Sequence, residues 1–283
     1  VTDHPGFGVL LTRLLKYRGM DIAWMSTSSG VAESEIRSVI DGALPSESLL
    51  HALAPAFGFH TADLFIMADV PLPEALAPLD PAAGDVISSL VTRMMALPPG
   101  QRLRIHRLVE ELPQEPQPGN EAFKPRWTFN QTEAGPGAML VSMLFSNRNL
   151  HSPTDAAKTV ATLTRGRMYL SAATYMVIGH GRTSVRPDWV TGFATALGIP
   201  AGDLAAITGI EASGEPVRTD PLASEVAELI WNLRRLSATQ AKHVLHEANA
   251  MLVAIPDDAP EQEWNRVYHQ HGVWWGAPRT DEE

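Results

Sequence analysis

The chain repeats itself, and that repeat constrains its fold more than any other feature. Gly6-Phe7-Gly8 and its following helical run correspond to Gly135-Pro136-Gly137 followed by Met139, Leu140, Met143 and Leu144. Phe57-Gly58-Phe59 with Asp63-Leu64 corresponds to Leu197-Gly198-Ile199 with Asp203-Leu204. Asp80-Pro81 restarts a helix, and so does Asp220-Pro221. In each case the aspartate is an N-cap and the proline occupies the first turn. Leu97-Pro98-Pro99-Gly100-Gln101 then matches Leu236-Ser237-Ala238-Thr239-Gln240, each breaking one helix and opening its antiparallel partner. Apolar residues recur at helical spacing throughout, so the pattern predicts an all-α protein built as two copies of one unit.

Within the first copy, the stretch from Asp21 to Phe65 orders its landmarks closely. Ile22 to Met25 is expected as a short helix, Ser29-Gly30-Val31 as a tight turn, and Ala32 to Ile40 as a second helix with Ile36, Val39 and Ile40 inward. Gly42 closes it, Pro45-Ser46 opens a third, and Ala62 to Phe65 is a last short helix. Gly6 to Met20 forms the helix beneath, with Val9, Leu10, Leu14 and Leu15 on one face. This order resembles the Cro/C1-type (XRE) helix-turn-helix family, duplicated in tandem. The resemblance implies that Gly30-Val31 is the turn and Ala32 to Ile40 the recognition helix. In the second copy it implies a helix-turn-helix from Ala156 to Gly181, with Ser171 capping the recognition helix. Thr164 to Tyr169 replaces the glycine turn there, and a turn one residue longer is expected.

The expected organisation is a first bundle plus helical hairpin over 1–112, a linker over 113–134, a second bundle plus hairpin over 135–254, and a tail over 255–283. The hairpins, Asp80 to Leu112 and Asp220 to Leu252, each leave an apolar stripe that another element has to cover. They are expected to pack between halves or between subunits. Phe123, Trp127 and Phe129 in the linker are expected to dock on a domain. The tail carries Trp264, Trp274, Trp275 and Tyr268 among seven acidic and two basic residues, a segment expected to dock on the protein itself or on a partner.

Charge separates the halves. Over 1–70 there are four basic side chains (Arg13, Lys16, Arg18, Arg37) against eight acidic ones, and the candidate reading helix carries Glu33 and Glu35 beside Ser34, Arg37 and Ser38. Such a surface repels a duplex, which makes this half the expected site of a protein partner. Over 135–210 six basic residues (Arg148, Lys158, Arg165, Arg167, Arg182, Arg186) face three acidic ones. The family geometry implies that Arg165, Arg167, Arg182 and Arg186 hold phosphates, with Lys158 and Arg148 in support by their charge, while Ser171, Ala172, Thr174 and Tyr175 face the bases. Methyl and hydroxyl contacts suit those side chains.

Other chemistries are weakly supported. The formal net charge of −10 argues against non-specific coating of nucleic acid. There is no cysteine, so thiol catalysis and thiolate metal sites are excluded. His243 and His246, and His269 and His271, are spaced for a metal pair without a placed third ligand, and surface histidines are the simpler reading. No phosphate-cradling loop or nucleophile motif occurs, so neither enzyme activity nor a cofactor is expected. The absence of a long apolar run and of a signal pattern points to a cytoplasmic protein. Two functions stay open: a transcriptional regulator binding double-stranded DNA, expected as a homodimer, or a helix-turn-helix-fold interaction module that sequesters or scaffolds a protein partner.

Overall fold

The computed structural model describes residues 5–116, 127–211 and 220–252. Over these residues the protein is all helical, with fifteen α-helices and no strand. No single helix among them is long and apolar enough to cross a membrane.

Five helices open the chain: α1 (Phe7–Arg18), α2 (Ile22–Ser29), α3 (Glu33–Ile40), α4 (Glu47–Phe57) and α5 (Thr61–Met67). Side-chain caps start two of them. Asp21 accepts from the Trp24 amide at 2.7 Å, and Ser46 from the Leu49 amide at 3.2 Å. Helix α2 runs to Ser29, past the expected end at Met25. Two serines bond to nearby carbonyls, Ser29 Oγ to Met25 O and Ser26 Oγ to Val31 O, both at 2.6 Å. Gly30, left-handed at φ 72°, then turns the chain into α3.

After 3₁₀ turns at Glu74–Leu76 and Pro81–Val86 comes a hairpin of α6 (Ile87–Ala96) and α7 (Pro99–Glu111). The later residues are helical as well. A short α8 (Gln131–Ala134) precedes α9 (Pro136–Ser142), which passes into a π-helical turn over Met143–Asn147. Next come α10 (Pro153–Leu163), α11 (Ala172–Gly179), α12 (Pro187–Leu197), α13 (Ala201–Thr208), α14 (Pro221–Leu233) and α15 (Ala238–Ala250). Of the expected linker, residues 127–134 are folded onto the body. Phe129 is buried, the Trp127 indole donates to His151 O at 3.1 Å, and Gln131 Nε2 donates to Ile66 O at 2.8 Å. Phe123 and the whole tail from Ile255 lie outside the described residues.

The turn before α11 corrects the expectation of one extra residue, because it occupies 164–171 where the first copy uses 30–32. Two successive left-handed residues, Arg165 at φ 51° and Gly166 at φ 78°, redirect the chain. Thr164 holds the loop together, its hydroxyl donating to Val160 O at 2.7 Å and accepting from the Met168 amide at 3.1 Å.

A glycine lets each of α1 and α9 approach its crossing helix. A Cβ on Gly8 would lie 2.2 Å from Val39 O of α3, and one on Gly137 would lie 2.9 Å from Ile178 of α11. The halves then grip each other. Helix α1 packs on α13, and α5 packs on α9 and its π turn. Both hairpins pack together, α6 and α7 against α14 and α15. Cross-links run between them from Arg102 to Glu225 at 3.0 Å and from Arg93 to Asn249 at 2.8 Å. The buried apolar residues of both copies form one contiguous core, so the boundary between 1–112 and 135–254 follows the repeat and not a break in packing. Symmetry is incomplete: α10 lies along α6, whereas α2 makes no comparable contact with α14.

Candidate nucleic-acid interface

Helix α11 starts where the sequence places it. Ser171 Oγ accepts from the Thr174 amide at 3.2 Å and lies 2.9 Å from Thr174 Oγ1, so the two hydroxyls already serve each other. Ser171 is exposed, and Ala172 and Thr174 are half-buried beside it. No carboxylate lies on α11, so the positive end of its backbone dipole is not offset from within the helix.

Two of the sequence-based assignments are corrected here. Tyr175 is fully buried, its ring packed edge-on against Phe193 with centroids 6.0 Å apart, and burial pushes its phenol pKa up. An aromatic one turn into a short helix was read as outward, but the core needs its volume. Arg148 is also fully buried and cannot reach a phosphate, because it is spent on Asp63.

The remaining cations are exposed but not equally available. Arg165 pairs with Asp220 at 2.9 Å, and Arg186 pairs with Asp188 at 3.0 Å while lying over the Trp189 ring. Arg167 donates through Nε to Thr164 O at 3.2 Å. Arg182 and Lys158 are exposed and form no ion pair among the described residues. Tyr169 was not assigned a role from sequence, yet it is 66 % exposed beside the start of α11. Its only signal was an aromatic residue just after the turn arginines. In the first copy, Arg37 pairs with Glu33 at 2.7 Å, and Glu35 accepts from Ser46 at 3.3 Å.

Between the copies lies a polar centre that sequence reasoning missed altogether. Asp63 takes both arms of Arg148, at 2.6 and 2.9 Å, and the Asn147 amide at 2.9 Å. Burial alone would raise its pKa, but the Arg148 charge and these hydrogen bonds outweigh that and hold it low. His60 stacks on Trp231 with centroids 3.6 Å apart and planes 7° apart. Burial, with Arg148 and Arg234 nearby, lowers the His60 pKa to about 4 despite the opposing pull of Asp63.

Among the described residues, no three His, Asp or Glu side chains converge to hold a metal ion. His243 and His246 are exposed on α15, and His269 and His271 lie outside the described residues. No family model matches the chain, and neither a curated protein nor a solved structure matches it.

Proposed function

We propose that the protein is a DNA-binding transcriptional regulator of the Cro/C1 helix-turn-helix type, with α2–α3 and α10–α11 as tandem helix-turn-helix units and the second unit facing the duplex. The observation that carries this reading is the start of α11: a serine-capped, carboxylate-free helix N-terminus with exposed Arg165 and Arg167 before it and Arg182 and Arg186 after it. Amides and arginines so placed suit phosphate oxygens, while Ala172 and Thr174 suit a thymine methyl. Lys158 on α10 adds to the same field. A homodimer acting in the cytoplasm completes the proposal, since two-fold pairing suits palindromic operators.

The test is fluorescence anisotropy with a duplex selected by the full-length protein from a random pool. The double change Arg165→Ala with Arg167→Ala should weaken binding similarly on all duplexes and reduce the salt slope by about one unit per lost phosphate contact. Collapse of binding in Arg37→Ala, with the double variant unaffected, would show that the DNA-facing half has been assigned the wrong way round.

The competing reading is an interaction module without DNA binding. It is favoured by the cover over α10: Ser88 of α6 donates to Asp155, at the start of α10, at 2.8 Å. In the family's docking geometry that helix end faces a phosphate. Failure to select any duplex, together with co-purification of a protein partner through the acidic first half, would favour this module.

A further inference from the structure

Two guanidiniums share one carboxylate in the interior. Arg148 is paired with Asp63, but Arg234, only 9 % exposed, has no carboxylate of its own among the described residues. One Arg234 terminal nitrogen donates to Leu76 O, and its Nε is buried without a partner among the described residues. The Trp231 ring offsets part of this charge, with the Arg234 carbon 3.9 Å and the Arg148 carbon 4.9 Å from its centroid. A positive charge held away from water still lacks its counterion.

Arg234 lines a cleft of about 800 Å³ between residues 74–79 of the first copy, residues 114–115, and the end of α14. That size is typical of small-molecule sites. Leu76, Leu79 and Trp231 give it apolar walls. Arg235 stands next to Arg234, fixed by bonds of 2.8 Å to the carbonyls of Val109, Glu110 and Leu112. Glu74 and Glu115 also line the cleft, but Glu74 is exposed and Glu115 half-exposed. Water screens them far more than it screens the buried arginine, so the field at the floor is positive.

We infer that this cleft binds a small organic carboxylate, its charged end toward Arg234 and its apolar body against Leu76, Leu79 and Trp231. The inference stands apart from the DNA-binding reading, because none of these residues belongs to the α11 surface. A bound molecule would bridge the two copies, since Leu76 and Leu79 come from one and Arg234 from the other.

Thermal unfolding of the full chain tests it, at about 10 mM benzoate or hexanoate, with benzamide, hexanamide and inorganic phosphate at matched ionic strength. At least one carboxylate should raise Tm by roughly 3 to 6 °C, while its amide and phosphate should not. Arg234→Gln should abolish the rise. If that variant fails to fold, Ala77→Trp, which fills the cleft from its lining, should abolish it instead. No rise with either carboxylate, an equal rise with the amides or with phosphate, or a rise that persists in Ala77→Trp would each overturn the inference.

Discussion

Arg148 of the second copy holds Asp63 of the first, and Arg18 of the first holds Asp203 of the second, so the two ion pairs exchange partners across the copies. Each arginine also donates to the carbonyl that ends a helix of its own copy, Arg18 to Phe57 O and Arg148 to Leu197 O. The pairs differ in burial. Arg148 and Asp63 are 1 % and 0 % exposed, Arg18 and Asp203 are 19 % and 5 %. Removing one partner of a fully buried pair strands the other charge in a dry interior. Asp63→Ala should therefore cost about 3 to 5 kcal/mol, and Asp203→Ala about 1 to 3 kcal/mol. Urea unfolding followed by circular dichroism gives both values. Equal costs would mean that burial does not set the strength of these links.

A second prediction concerns acid. His60 has its pKa lowered from 6.5 to about 4. Between those values the unfolded chain takes up a proton that the folded protein refuses, so stability falls as pH drops from 6.5 toward 4. Discounted for partial exposure, the loss is about 2 kcal/mol. Asp63, also depressed, adds a loss at still lower pH, as the medium falls through its folded pKa. His60→Phe keeps a ring on Trp231 without a titrating group. Its Tm should stay nearly level between pH 6.5 and 4.5, where that of the parent declines. Parallel pH profiles would remove His60 as the cause.

The third prediction tests the close approach that the repeat places at matching positions. A methyl on Gly8 would meet the Val39 carbonyl at 2.2 Å, a backbone atom that cannot swing aside. On Gly202 the same methyl would meet the Tyr17 hydroxyl at 1.9 Å, the far end of a side chain that is 60 % exposed. Despite the shorter distance, Gly202→Ala should cost less than about 1 kcal/mol and Gly8→Ala about 2 to 3 kcal/mol, because only the second forces two helices apart. Chemical denaturation of both variants distinguishes them, and a reversed order would place the tight packing elsewhere.

Much of this fold was legible because local signals repeat. Asp80 and Asp220 cap where expected, as does Ser171, and Gly58 and Gly198 both end helices in the left-handed conformation. Gly8 and Gly137 were visible as a correspondence before their packing role was. What escaped the sequence was pairing over distance. Nothing local says that Arg148 turns inward to Asp63, 85 residues away, and counting it among surface cations followed from charge alone. Tyr175 was misplaced for a related reason. On a helix that is apolar nearly all round, periodicity does not choose the buried face. The candidate surface stayed readable where the residues are exposed and local, as at Arg165, Arg167 and Arg182.

The last prediction follows from how the surface arginines are engaged. Arg165 has to leave Asp220, and Arg186 has to leave Asp188, before either meets a phosphate. Asp220 also accepts from the Leu222 amide at 3.0 Å and so caps α14, a task that asparagine performs as well. Asp220→Asn and Asp188→Asn should therefore keep the fold and release one arginine each. Exposed pairs of this kind are worth up to about 1 kcal/mol, which corresponds to a gain in duplex affinity of no more than roughly five-fold. The gain should shrink as salt rises, because both the pair and the phosphate contact are screened. Glu33→Gln, which releases Arg37 in the first copy, should change nothing. Anisotropy at two salt concentrations reads all three variants, and a gain from Glu33→Gln alone would move the duplex to α3.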